Sequence, residues 1–186
     1  MDYIVTNDTS GPVYPLPDSN HYVKLFRPRN LHYGDPGTIV SIAGMGEHFH
    51  TRHQYLVEVG NITGRDRRNN YSRSHDGDNF DLAYPWADRR SGASDPEGRS
   101  TAPYRTSANA GPDAVAGIDY ALLYQMLAYI AGLPLCTGVL IGRNVMAALL
   151  RYIARANVAR LVRVIEYRAH EDHIHVNFRH TKLRGT

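Results

Sequence analysis

The sequence is nearly free of cysteine and contains no long apolar run. Cys136 is the single cysteine among 186 residues, so no disulfide can form within the chain and its stability must come from core packing. No apolar stretch reaches the roughly 20 residues that a transmembrane helix needs. These absences exclude a disulfide-stapled scaffold and give no reason to expect membrane insertion.

An excess of charge is also missing. The formal net charge is only +3, and it does not come from a lysine-rich tract, so the sequence gives no reason to expect nucleic-acid binding. Residues 1–20 lack the basic segment and apolar core of a secretory signal peptide. We therefore expect a chain made in the cytoplasm, and any destination outside it would require another export route or a lost leader.

Alternation of apolar and polar residues predicts strands near both ends of the chain, and apolar residues at helical spacing predict two helices between them. The predicted strands are 22–27, 38–44, 55–62, 135–142, 160–168 and 173–179, and the predicted helices are 114–131, with Asp113 as N-cap, and 144–157. This order predicts one α+β domain over residues 1–186, with an antiparallel sheet flanked by helices. We expect residues 1–20 to form an irregular arm and 87–113 to form an unusually long loop.

Three histidines lie close together in the segment "HEDHIHVNF", residues 170–178. In a strand, side chains two residues apart share a face, so His173 and His175 are expected side by side. Burying two imidazoles is unfavourable unless each has a polar partner. A metal ion is one such partner, although this pattern alone is equally consistent with a structural or surface role.

A second segment, "SHDGDNFDLAYP" at 74–85, places His75 and Asp81 across the turn-forming residues "DGDN". Phe80 and Leu82 are predicted on one face of the following strand, which leaves Asp81 on the other. A histidine from a distant strand would complete a set of three ligands. Zinc held by three protein ligands keeps one position for water, whose pKa it lowers toward neutrality. This chemistry is typical of a hydrolase.

A rival histidine cluster, "EHFHTRH" at 47–53, contains His48, His50 and His53. Glu47 is the only acid beside these histidines, and no turn joins it to them in the way that "DGDN" joins His75 to Asp81. We interpret this segment as a solvated loop before a strand, with a groove-lining role as the alternative.

The segments 55–85, "YLVEVGNITGRDRRNNYSRSHDGDNFDLAYP", and 170–178 together resemble the penicillin-insensitive murein endopeptidases. That family belongs to the clan of the lysostaphin-type and D-Ala-D-Ala metallopeptidases. Its members have a Ser-His, a Gly-containing turn and an Asp, and close on a His-x-x-His-x-His-Val segment. "PLP" at 15–17, Arg27 and "YGDP" at 33–36 resemble its N-terminal region more loosely, so the similarity spans most of the chain.

The resemblance implies that His75, Asp81 and His175 ligate Zn²⁺. It implies that His173 acts as general base or stabilises the oxyanion, with His170 in a supporting role beside it. The implied reaction is hydrolysis of peptide cross-links in bacterial peptidoglycan, such as D-Ala–meso-diaminopimelate. The implied partners are therefore wall peptides, with no nucleic acid.

The chain departs from the family in two ways. Five residues separate His75 from Asp81 where the family has six, so the turn must be tighter; if it is not, Asp78 becomes the candidate ligand. Family members are also generally exported and often disulfide-bonded. Delivery to the periplasmic wall by a phage, or as an antibacterial effector with an immunity partner, would reconcile this sequence with such a substrate. The alternatives are a peptidoglycan-binding pseudoenzyme and a cytoplasmic D-Ala-D-Ala dipeptidase or carboxypeptidase.

Overall fold

Ten strands and three α-helices are described in the structure, a computed structural model that describes residues 2–68, 75–95, 97 and 104–184. The strands are β1 (Tyr3–Val5), β2 (Tyr14–Pro15), β3 (Tyr22–Lys24), β4 (Tyr33–Gly34), β5 (Val57–Val59), β6 (Asn79–Ala83), β7 (Cys136–Ile141), β8 (Val164–Glu166), β9 (His173–Phe178) and β10 (Thr181–Leu183). The helices are α1 (Pro36–His53), α2 (Tyr120–Gly132) and α3 (Arg143–Ala156). Arg27–Arg29 and Pro112–Val115 form short 3₁₀ helices.

A six-stranded sheet, in the order β3-β5-β6-β9-β7-β8, forms the centre of the fold. The three central pairings are antiparallel, whereas β3 with β5 and β7 with β8 are parallel. The predicted α+β class is confirmed, with a sheet that is mixed at its two edges. The predicted strands 22–27, 55–62, 135–142, 160–168 and 173–179 each contain one of these strands.

The two faces of this sheet have different chemistry. Phe80, Leu82, Ile174 and Val176 project from β6 and β9 into the main core and are at most 1% exposed. Apolar side chains of α1 and α2 belong to the same core. Since strand residues alternate between faces, Asp81 and the histidines of β9 lie on the opposite face. We call this opposite face the histidine face.

Residues 38–44, predicted as a strand, instead lie within α1. The helix buries Ile39, Ile42, Met45 and Phe49, whose spacing places them on one helical face. Glycine makes a close approach possible: a Cβ at Gly46 would lie 2.6 Å from a ring carbon of Tyr22. Packing of this face outweighs the β-branched character of the segment, so the strand prediction is wrong.

The predicted helix at 114–131 starts later than expected. α2 begins at Tyr120, and the side chain of Asp119 accepts a hydrogen bond from Leu122 N at 3.0 Å. Asp119 is therefore the N-cap and the prediction of Asp113 was wrong, since Asp113 lies in the 3₁₀ helix before it. α3 agrees with its predicted range within one residue at each end.

The N-terminal arm and the long loop are both tied to the rest of the chain. In the arm, β1 pairs with β10 and β2 pairs with β4, so its described part is less irregular than predicted. Within the described part of 87–113, Ala93 forms an isolated bridge with Tyr104. Ala93 and Tyr104 pack with Ala83, Leu25 and Phe26 in a small second core. This part of the loop covers the β6 end of the histidine face.

Candidate metal centre

The sheet register places two of the predicted ligands directly opposite each other. Asp81 of β6 pairs with His175 of β9, and Ala83 pairs with His173. Asp81 Oδ1 lies 3.0 Å from His175 Nδ1, and the two residues are 5% and 6% exposed. The shared face predicted for the two β9 histidines and the orientation predicted for Asp81 are both confirmed.

His75 reaches the same point from the turn that precedes β6. Its Nε2 lies 3.3 Å from Asp81 Oδ1 and 3.2 Å from His175 Nδ1, and the residue is only 3% exposed. The turn contains Gly77 with φ +117°, a backbone conformation that residues other than glycine rarely adopt. The five-residue spacing therefore brings Asp81, and not Asp78, to His75 and His175.

Hydrogen bonds fix which nitrogen of each ligand histidine faces the centre. His75 Nδ1 donates to Ile62 O at 2.9 Å, and His175 Nε2 lies 3.2 Å from Asn177 Oδ1. With a metal ion bound, these outer nitrogens would carry the protons of the neutral rings, and both inner nitrogens would present lone pairs to the ion.

Two imidazole nitrogens and a carboxylate oxygen converge within a buried space, an arrangement that a cation or a shared proton stabilises. The three ligand atoms all lie within 4.8 Å of one another. Two imidazole nitrogens and one carboxylate oxygen form a donor set that suits zinc. The hydrogen bonds made by the outer nitrogen of each histidine hold the rings in the orientation that a metal site needs. These residues therefore form a candidate metal-binding cluster, and the fit supports the predicted ligand set.

The electrostatics of the cluster agree with this geometry. Burial alone would raise the pKa of Asp81, but the adjacent His75, His173 and His175 hold it well below its usual value. Burial alone would lower the pKa of His75, but attraction to Asp81 and hydrogen bonds to Asp81 and Ile62 O raise it overall. A proton can therefore occupy the place of the cation in the metal-free protein.

His173 stands beside the ligand set. Its Nε2 lies 3.6 Å from Asp81 Oδ1, and its Nδ1 donates to Asp172 Oδ1 at 2.7 Å. Burial lowers the pKa of His173, but Asp81 and Asp172 outweigh this effect and raise it. A histidine whose ring is oriented by a carboxylate and aimed at a metal cluster can accept or donate a proton there.

His170 completes a cluster of three histidines. Its ring centroid lies 4.8 Å from that of His173 and 5.8 Å from that of His175. Burial, followed by smaller effects of the neighbouring histidines, lowers the pKa of His170. The side-chain nitrogens of His170, His173 and His175 also lie close enough together to form an alternative ligand group. His170 thus lies beside His173, while its supporting role stays a prediction.

Two residues at this site were not predicted. The ring of Tyr104 stacks on His173 with centroids 5.3 Å apart, and its buried hydroxyl has no hydrogen-bond partner among the residues that the structure describes. Asp172, adjacent to His173 in sequence, orients that ring. The period-2 pattern that pairs His173 with His175 could also have indicated Asn177, whereas no sequence signal connects Tyr104 to β9.

A network of hydrogen bonds holds the segment that carries His170. The hydroxyl of Tyr84 donates to His170 O at 2.7 Å. The buried carboxylate of Glu171 accepts from Asn144 N at 2.9 Å and Val145 N at 3.3 Å, at the start of α3. Since the amide groups of a first helical turn lack partners within the helix, Glu171 both satisfies them and anchors this segment.

The rival cluster His48, His50 and His53 does not lie in a loop, as predicted, but in the last turns of α1. In the part of the chain that the structure describes, none of these histidines belongs to a group of three possible metal ligands. His48 instead lies against Tyr129, and His50 stacks on His21. Helix formation turns these side chains toward ring contacts and away from a common point.

No known family model matches the sequence, and no curated protein matches it. The resemblance to the murein endopeptidases therefore rests on the motifs themselves. Among the described residues, every helix is too short or too polar to cross a membrane.

Proposed function

We propose that this protein is a zinc-dependent peptidase that hydrolyses peptide cross-links of bacterial peptidoglycan, such as D-Ala–meso-diaminopimelate. The observation that carries the proposal is the convergence of His75 Nε2, His175 Nδ1 and Asp81 Oδ1 within a buried space. The substrate class comes from the resemblance of residues 55–85 and 170–178 to the murein endopeptidases. Delivery to the wall by a phage or as an antibacterial effector is part of the same proposal.

In the proposed mechanism, His75, Asp81 and His175 hold the metal. Zinc bound there would supply a Lewis acid that lowers the pKa of water and polarises the scissile carbonyl. His173, with its ring fixed by Asp172, accepts the proton of the attacking water and then donates it to the leaving amine. Stacking of Tyr104 keeps the imidazole of His173 in place and excludes water from one of its faces.

The position of Asp81 argues against the pseudoenzyme alternative. That alternative depended on the shortened spacing between His75 and Asp81, which threatened to remove Asp81 from the cluster. Asp81 Oδ1 nevertheless lies within 3.3 Å of a nitrogen of each ligand histidine. The shortened spacing therefore gives no reason to prefer a module without turnover.

The test is incubation of the zinc-loaded protein with cross-linked muropeptides, followed by mass spectrometry of the products. We expect cleavage of the cross-link by the wild type and none by a His175→Ala variant, which lacks a ligand. Full zinc occupancy without products would favour a wall-binding module. Cleavage of free D-Ala-D-Ala without cleavage of cross-linked material would favour a dipeptidase.

A further inference from the structure

A groove of about 450 Å³ lies on the histidine face beside the candidate metal centre. Its lining includes Asn79 and Asn177, which pair with each other in the register of β6 and β9. This pair lies two residues beyond the pair Asp81 and His175 on the same face, a distance of roughly 7 Å along the strands. Asn177 also contacts His175 Nε2 at 3.2 Å. The groove therefore lies next to the metal centre.

The floor and outer wall of the groove are small or apolar. Gly138 and Leu140 of β7 line it, and Ile165 of the edge strand β8 is 49% exposed above them. Leu140 pairs with both His175 and Ile165, so all three side chains share the histidine face. A Cβ at Gly138 would meet nothing closer than 3.7 Å, so this glycine leaves open space in the groove. An aliphatic chain fits such a surface.

The other end of the groove is acidic. Asp76 and Asp78 line it, and His180 Nε2 lies 3.6 Å and 3.3 Å from their respective carboxylates. Asp35 lies behind them, paired with Arg67 at 2.7 Å and with His180 at 2.9 Å. Three carboxyl groups thus face one arginine and one histidine in this part of the described chain.

Asp78 shows that this acidic end is short of positive charge. Its Oδ1 is buried and has no hydrogen-bond partner among the described residues. Burial, the adjacent carboxyl group of Asp76 and the charge of Asp35 raise the pKa of Asp78 to about 8. A cationic group that enters the groove would relieve this crowding of carboxyl groups.

We propose that this groove is a subsite on the acyl side of the scissile bond, and that it selects a residue there whose aliphatic side chain ends in a free ammonium group. The stem lies over Gly138, Leu140 and Ile165, and the ammonium donates to Asp76 and Asp78. Asp76, Asp78 and His180 together could also hold a divalent cation, but such an ion would use only the acidic end, whereas a side chain with an ammonium end uses the whole groove. This inference rests on the proposed peptidase function and adds a specificity determinant to it.

The test compares two synthetic cross-link peptides that differ only in whether the side-chain amine of a residue on the acyl side of the scissile amide is free or acetylated. The scissile amide is N-methylated, so that binding to the zinc-loaded protein is measured without turnover by fluorescence anisotropy. Because hydrogen bonds to charged groups are among the stronger ones, we expect the free amine to bind about tenfold more tightly. In the double variant Asp76→Asn/Asp78→Asn, the two peptides should bind nearly equally.

Two further variants separate the groove from its acidic end. Gly138→Val fills the groove and should weaken both peptides, while the smaller Gly138→Ala should have less effect. Asp18→Asn is the matched control, because Asp18 is a surface aspartate that pairs with Lys24 and does not line the groove. Thermal unfolding of each variant shows that it is folded, and Asp76→Asn alone, at a half-exposed position, is the milder substitution.

Equal binding of both peptides by the wild type, binding of neither, or discrimination that survives the double substitution would overturn the subsite. A second equivalent of zinc that only the double variant loses would also overturn it, because the acidic end would then be a metal site. The corresponding peptide with an ordinary amide tests turnover separately. Discrimination in binding without any hydrolysis would contradict the peptidase and leave the subsite in place.

Discussion

Replacement of Asp81 by asparagine tests the metal centre directly. Asn keeps the size of the side chain but removes the charge that lies 3.0 Å from His175 Nδ1 and 3.3 Å from His75 Nε2. Zinc binding to four-ligand structural sites provides about 10–16 kcal/mol, or roughly 3 kcal/mol per ligand. Loss of the carboxylate should therefore weaken zinc binding about 100-fold.

Competition with a chromophoric chelator at neutral pH measures this affinity, and thermal unfolding gives an independent reading. At saturating zinc, a 100-fold weaker site contributes about 2.7 kcal/mol less to the free energy of unfolding. Asp78→Asn is the matched comparison, because Asp78 is the other carboxylate that a different turn would bring to the metal. It should leave zinc affinity close to the wild-type value. Wild-type affinity in Asp81→Asn, or a larger loss in Asp78→Asn, would refute the assignment.

Three further predictions concern residues around the centre and in the core. His173→Gln should retain zinc and reduce turnover of muropeptides about 100-fold or more; loss of zinc would show that His173 is a ligand. Glu171→Gln removes a charge from the first turn of α3, which should cost about 1 kcal/mol and lower the melting temperature by about 2–4 °C, and an unchanged melting temperature would contradict the anchoring role. Burial, together with the charge of Lys24, lowers the pKa of His32 to about 4. Below its ordinary pKa the unfolded chain takes up a proton that the folded chain does not, so His32 destabilises the fold as the pH falls. Urea unfolding measures the free energy of unfolding of the wild type and of His32→Gln at each pH. As the pH falls from about 7.5 to about 5, the wild type should lose about 2 kcal/mol of stability relative to the variant. A constant difference would show that folding does not lower the pKa of His32.

The elements around the site could be predicted because their patterns are local. Alternation along β6 and β9 assigns Phe80 and Ile174 to the core, and this assignment alone places Asp81 and His175 on the same side of the sheet. The error in α1 has a different origin. Residues 38–44 include β-branched residues and a glycine, which favour a strand over a helix. Their helical state depends on packing of Gly46 against Tyr22, a contact that cannot be inferred from the local sequence.

Two of the residues missed at the site, Tyr104 and Glu171, act through contacts distant in sequence. Tyr104 reaches His173 from the long loop, and Glu171 acts on the amides of α3, 26 to 27 residues before it. Sequence spacing identifies groups that a turn or strand brings together. It does not identify a loop residue that arrives at the same point from elsewhere in the chain.

The turn between His75 and Asp81 shows how a local change of length can be absorbed without loss of a ligand. Gly77 adopts φ +117°, and its carbonyl accepts a hydrogen bond from Asp35 N at 2.8 Å. The backbone conformation favours glycine, and a Cβ at this position would also lie 2.9 Å from Arg67 Nη1 and 3.0 Å from Asp35 Oδ1 and would displace these side chains. The Asp35–Arg67 pair therefore supports the turn from behind while the turn presents His75 to Asp81. The same pair also borders the acidic end of the groove. The shortened turn therefore affects both the position of His75 at the metal centre and the carboxylates of the proposed subsite.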